Sequence, residues 1–95
     1  MTPPITTTTT RRRQRKEFRV RLGERLRRRR EIAQLTQSQL ARKLPGQMDG
    51  GQISRWERGE SFPTYANLLA LARALGITEE ELLAEDVPVP QRRAG

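Results

Sequence analysis

The side chains with the most chemistry to offer in this sequence are its arginines, and what guanidinium groups do well is hold phosphate. Lys and Arg number 19 and Asp and Glu 11 in 95 residues, a formal net charge of +8. The excess is concentrated. Residues 1–30 hold 12 of the basic side chains against Glu17 and Glu24, whereas residues 31–95 hold seven against nine acids. Such a block suits a polyanion, because each phosphate it neutralises releases condensed counterions. It also reads as a solvated tail that keeps the chain in solution, and charge alone does not separate the two. Other reactive groups are missing. Without Cys there is neither a disulfide framework nor a thiolate metal site, and without His the commonest general base and nitrogen ligand are absent. No two carboxylates share an apolar setting that would mark an acid–base pair. The expectation is no enzyme, no cofactor and no metal.

The elements that must position these charges are short. Ninety-five residues make one small domain. No apolar run approaches the roughly 18 residues of a membrane span, and the N-terminus lacks the apolar segment of a secretory signal. A cytoplasmic, nucleoid-associated protein is expected. Residues 1–10 (MTPPITTTTT) are low in complexity and residues 11–16 (RRRQRK) are a basic run. Neither has an apolar period, so 1–16 read as a disordered arm. Phe18, Leu22, Leu26 and Ala33, with Ile32 beside them, predict a first helix over 17–33, weakened locally by Gly23. Thr36-Gln37-Ser38-Gln39 is a capping box that opens a short second helix over 37–44. Leu40, Ala41 and Leu44 face inward from it, and Pro45-Gly46 stops it. Asp49 caps a third helix over 50–58, with Ile53 and Trp56 inward and Gly59 at its end. Pro63-Thr64 opens a fourth, with Tyr65, Leu68, Leu69, Leu71, Ala72 and Leu75 as its apolar face and Gly76 as its stop. Thr78–Glu81 is a second capping box, starting a fifth helix that carries Leu82 and Leu83 to about Glu85. Residues 86–95 read as a disordered tail. The fold class is therefore all-α, a five-helix domain over 17–85 with disordered termini and no internal repeat.

Three stretches carry a resemblance. Leu35-Thr36-Gln37-Ser38-Gln39-Leu40-Ala41, then Ile53-Ser54-Arg55-Trp56-Glu57-Arg58-Gly59, then Pro63 with Leu71-Ala72-Arg73-Ala74-Leu75-Gly76-Ile77, resemble in order and near-spacing the Cro/phage-repressor helix-turn-helix family. The resemblance spans about 18–84. It implies a compact lambda-repressor-like DNA-binding domain and a sequence-specific transcriptional regulator, a repressor, working as a homodimer on double-stranded DNA. The helix over 50–58 would enter the major groove, which is wide enough for one helix. Its first turn, Gly50, Gly51 and Gln52, falls where the family reads bases. Arg55 lies on the same outward face and is suited to a bidentate contact with guanine.

Each assignment has a plainer counterpart. Thr36 and Gln37 would hold backbone phosphate at a helix N-terminus, or they only cap it. Arg55 is otherwise a solvated or phosphate-bound cation, and Gln52 is otherwise engaged in the Asp49 cap. Arg58 and the arm residues Arg11, Arg12 and Arg13 are assigned to phosphate. Arg30 and Glu57 match family positions that form an ion pair between the first and third helices; otherwise they are two surface charges. Two departures stand out. The interval from Leu40 to Ile53 is two residues longer than usual, within Pro45–Gly51, and Gly50 and Gly51 bring no side chain to a base. Direct readout then falls to Gln52 and Arg55, with the arm and DNA shape supplying the rest. Leu82 and Leu83 are candidates for the dimer surface or else complete the core. A reading from another class is an antitoxin-type protein-interaction module that also binds its operator and docks a protein partner through its termini. A third is non-specific nucleic-acid binding by the arm alone.

Overall fold

Five helices follow one another along the chain: α1 (Thr7–Ile32), α2 (Gln37–Arg42), α3 (Gly50–Glu57), α4 (Tyr65–Leu75) and α5 (Glu79–Leu83). The structure is a computed structural model and describes residues 7–83, with side chains from residue 12 onward. Among the described residues there is no strand, and no helix is long and apolar enough to cross a membrane.

Local chemistry sets the helix ends. The Thr36 hydroxyl accepts from the Gln39 backbone N–H at 3.0 Å, and the Gln39 side chain accepts from the Thr36 N–H at 2.8 Å. That reciprocal pair satisfies two N–H groups that have no intrahelical partner. Thr78 and Glu81 repeat it for α5, both bonds at 3.0 Å, and Thr64 caps α4 through the Asn67 N–H. Helix α1 ends at Gln34, which takes a left-handed φ of 59°. There the Leu35 N–H reaches back to the Arg30 carbonyl at 3.2 Å and the Gln34 N–H to the Glu31 carbonyl at 2.9 Å. These are the two bonds of a Schellman ending.

The apolar faces meet in one core. Leu22 and Leu26 of α1, Leu40 and Ala41 of α2, Ile53 and Trp56 of α3, and Leu68 and Leu71 of α4 are all buried, together with Leu44 and Leu82. Leu82 is 1% exposed, and Leu83 packs against the same cluster. Leu82 therefore completes the core and cannot offer a dimer surface, whereas Leu83 is half-buried.

Four expectations need correcting. Helix α1 begins at Thr7 rather than Glu17, so residues 7–16 are helical where an unstructured arm was predicted. Arg, Lys, Gln and Glu are good helix formers, and a nucleus anchored in the core by Leu22 and Leu26 propagates backward through them. Ile32 is 66% exposed and Ala33 is exposed as well, because the inward series 22, 26 continues to Arg30 and not to residue 33. Helix α2 stops at Arg42, two residues earlier than expected, although Leu44 is still buried. Tyr65, placed on the apolar face of α4, is 65% exposed at the first turn of that helix. The expected end of α5 near Glu85, the tail over 86–95 and residues 1–6 lie outside the described residues.

Candidate nucleic-acid interface

Helices α2 and α3 pack through their N-terminal turns. A Cβ at Gly50 would sit 3.0 Å from the Ser38 hydroxyl oxygen and 3.2 Å from the Ser38 nitrogen, tighter than ordinary contact. Gly50 is thus glycine because α2 lies against it, and its Cα faces Ser38 rather than outward. Gly51, next to it, is exposed. The long connection between the two helices is not loose. Leu44 is buried and Met48 packs on the core, while Gly46, at φ 83°, reverses the chain between them. Helix α3 begins at Gly50, as expected.

The outer face of α3 is polar. Ile53 and Trp56 are 0% and 3% exposed, which fixes the rotation of the helix. Arg55 then projects into solvent and has no ion-pair partner among the described residues. The Asp49 carboxylate caps α3 by accepting from the backbone N–H of Gln52 at 3.1 Å, which leaves the Gln52 side chain outside the cap. Both groups placed for reading bases are therefore available. Arg58, at the C-cap, is differently placed. Its Nε and Nη2 donate to the Glu60 carboxylate at 2.7 and 3.2 Å, and its Nη1 donates to the Ser54 hydroxyl.

A buried polar network holds α3 at this angle. The Glu57 carboxylate, 5% exposed, accepts Arg30 Nε at 2.6 Å and Arg30 Nη2 at 3.1 Å. It also accepts Gln37 Nε2 at 2.9 Å, while Arg30 Nη1 donates to the Leu35 carbonyl at 2.9 Å. One carboxylate thereby joins α1, α2 and α3. Donating to Glu57 holds Arg30 above its ordinary range against the opposing effect of burial, and the charges of Glu57 and Glu31 add to it. The pair is part-buried, so removing one partner strands a largely desolvated charge and costs less than the roughly 3–5 kcal/mol of a fully buried pair. Gln37 is thus bound to this network rather than idle at the helix end. An amide NH₂ has two donors, and one of them is left for an anion. Thr36 serves as the cap.

The arm residues Arg11, Arg12 and Arg13 lie on an early turn of α1, where Arg12 and Arg13 are exposed. Among the described residues, Arg12 and Arg13 make no hydrogen bond or ion pair to α2 or α3. What docks α1 lies further along. Arg19 Nε donates to the Gly59 carbonyl at 3.1 Å, and the Phe18 and Phe62 rings stand 5.5 Å apart. A methyl at Gly23 would overlap the backbone carbonyl oxygens of Trp56 and Glu57. Gly23 is the crossing point of α1 over the end of α3. From the sequence, Gly23 predicts only a local weakness in α1; the signal for a close approach is a glycine inside an otherwise helical pattern.

Two short helices in tight contact, the second rigidly held with a polar outer face, define a helix-turn-helix unit. The helix-turn-helix domain family matches residues 21–84, well over half of the chain, and the protein belongs to that family. Residues 7–20 of α1 precede the match. Among relatives, the chain is 40% identical over 65 residues to the HTH-type transcriptional regulator DicA of Escherichia coli (strain K12), covering 68% of this chain and 47% of DicA. It is 41% identical over 66 residues to Repressor protein C2 of Salmonella phage P22, covering 70% of this chain and 30% of C2. The chain thus spans less than half the length of either relative. The crystal structure of the P22 c2 repressor protein in complex with synthetic operator 9T in the presence of Tl+ is similar with a TM-score of 0.61 at 39% identity. That likeness covers 65% of this chain and 91% of the other.

Proposed function

We propose that this chain is a sequence-specific DNA-binding regulator of transcription, acting as a repressor, that places α3 in the major groove of double-stranded DNA. The observation that carries the reading is the exposed, unpaired Arg55, with the Gln52 side chain one turn before it, on a helix whose rotation Ile53, Trp56 and the Glu57 network fix. A wide groove with a distinct donor and acceptor pattern for each base pair is what such a face fits. Arg55 and Gln52 read base edges, and Gly51 lets the backbone come close. Thr36 and the second donor of Gln37 meet phosphate at the N-terminus of α2, where the helix dipole favours an anion. Arg58 and the basic turns at Arg11–Arg13 add phosphate contacts. The names of the relatives, a transcriptional regulator and a repressor, and the operator in the P22 c2 complex support the same reading. A single short helix covers only a few base pairs, so the functional form on DNA is a homodimer whose half-sites lie about 34–36 Å apart.

The experiment is selection of bound duplex from a random pool by the intact protein. The reading expects enrichment of a site with two related halves one helical turn apart. A pool that stays random through successive rounds, at salt where the protein still binds, would show that the chain holds DNA without reading it.

A further inference from the structure

Past the end of α3 the chain doubles back and sets an acid against the helix's own cations. Gly59, at φ 75°, turns the backbone, and the Glu60 N–H donates to the Arg55 carbonyl at 3.0 Å. A side chain at Gly59 is excluded twice, by that φ and by the Val20 backbone, which a Cβ would approach to 3.0 Å. The position of Glu60 is therefore built in. From it the carboxylate takes the Nε–Nη2 edge of Arg58, while Nη1 is held by Ser54, so three of the five guanidinium N–H groups are engaged within the protein, including both on that edge that face Glu60. Arg58 and Glu60 remain 56% and 53% exposed. An exposed ion pair adds little to stability, so the arrangement matters chiefly for what else reaches Arg58.

We propose that Glu60 sets the affinity of this chain for DNA: its carboxylate occupies the phosphate-binding fork of Arg58 and places a negative charge beside Arg55, so that engaging DNA exchanges a carboxylate for a phosphate. The fork that grips a carboxylate bidentately is the one that grips a phosphate, so the two acceptors compete for the same N–H groups. The Arg58 hydrogen bond holds the Glu60 carboxyl below its usual range, the Arg58 and Arg55 charges reinforce this, and the group stays ionised near neutral pH. Its charge also opposes the approach of any strand to the C-terminal end of α3. Glu60 is therefore a restraint on binding strength that keeps the cationic end of the helix from gripping every duplex.

This rests on the DNA-binding reading above, and one titration series separates the two. The intact protein, Glu60→Gln, Arg58→Ala and the double variant are titrated with a selected duplex and a random duplex between about 50 and 200 mM salt. Glu60→Gln is expected to tighten binding to both duplexes by roughly three- to tenfold at low salt, the scale of one charge pair a few ångströms apart in water. It should steepen the slope of log K against log salt by up to about one. Arg58→Ala lowers affinity for both, and in that background Glu60→Gln should gain no more than about twofold. Thermal midpoints of the parent and Glu60→Gln should agree, since the pair is exposed. A Glu60→Gln variant that binds like the parent or more weakly overturns the proposal, as does a gain that persists undiminished without Arg58. A parent protein that binds neither duplex overturns the DNA reading itself, and the role of Glu60 with it.

Discussion

Gln34 occupies a conformation that the other helix ends assign to glycine. Gly59 and Gly76 close α3 and α4 at φ 75° and 72°, whereas α1 closes on Gln34 at φ 59°. The left-handed region costs an L-residue about 1–2 kcal/mol, of which the greater freedom of glycine in the unfolded chain offsets about half to one. Gln34→Gly should therefore raise stability by about 0.5–1 kcal/mol, seen as a higher denaturation midpoint at unchanged slope; a lower midpoint would mean that the Gln34 side chain holds something the backbone does not show. Single residues were the scale at which the sequence was least complete. Arg30 and Glu57 stand paired in the structure, yet nothing in the spacing announced that Gln37 and the Leu35 carbonyl share the network. Those partners meet only after three helices pack. Gly50 was read as a gap in the base-reading face, and its neighbour Ser38 gives it a reason that lies in another helix. The sequence assigns Arg58 to phosphate and gives no sign of Glu60 as its partner, which sits beyond a glycine that reverses the chain.

The helices themselves were legible, because capping boxes and glycine stops are local chemistry written in consecutive residues. Thr36, Asp49, Thr64 and Thr78 each start a helix as their side chains predict. The exception is the beginning of α1. An apolar period cannot report a helix with no buried face, and residues 12–17 are exposed throughout. The extension holds its shape from α1's anchorage further on, at Phe18 against Phe62, Arg19 on Gly59 and Gly23 over the end of α3. A helical arm presents its cations at fixed intervals instead of as a loose string. Removing residues 1–16 takes away Arg11, Arg12, Arg13, Arg15 and Lys16. The truncated protein should lose affinity for selected and random duplexes alike, with a salt slope flatter by up to about four units if all five reach phosphate. An unchanged slope would leave the arm with no part in DNA binding.

At the scale of the molecule, the described residues form one long and four short helices around one core, with the polar outer face of α3 turned to solvent. The core fixes the rotation of α3 through Ile53 and Trp56, the Glu57 network fixes its tilt against α1 and α2, and Arg55 is left on the outside. Leu82 itself is in the core and is not available to a dimer partner. If α3 reads bases while α2 and the arm only position it, changes on the two helices must affect binding differently. The most direct test compares Arg55→Ala with Gln37→Ala and Gln37→Glu on the selected site and on variants carrying each base in turn. Arg55→Ala should weaken the selected site by about 1–3 kcal/mol, relax the preference for one guanine and leave the thermal midpoint unchanged, since no core contact is lost. Gln37→Glu, which repels phosphate and, like Gln37→Ala, gives up the bond to Glu57, should weaken every sequence by the same factor and by more than Gln37→Ala does, as a phosphate contact predicts. If Arg55→Ala instead lowers all affinities equally and the base preference survives intact, α3 does not read DNA through Arg55 and that premise fails.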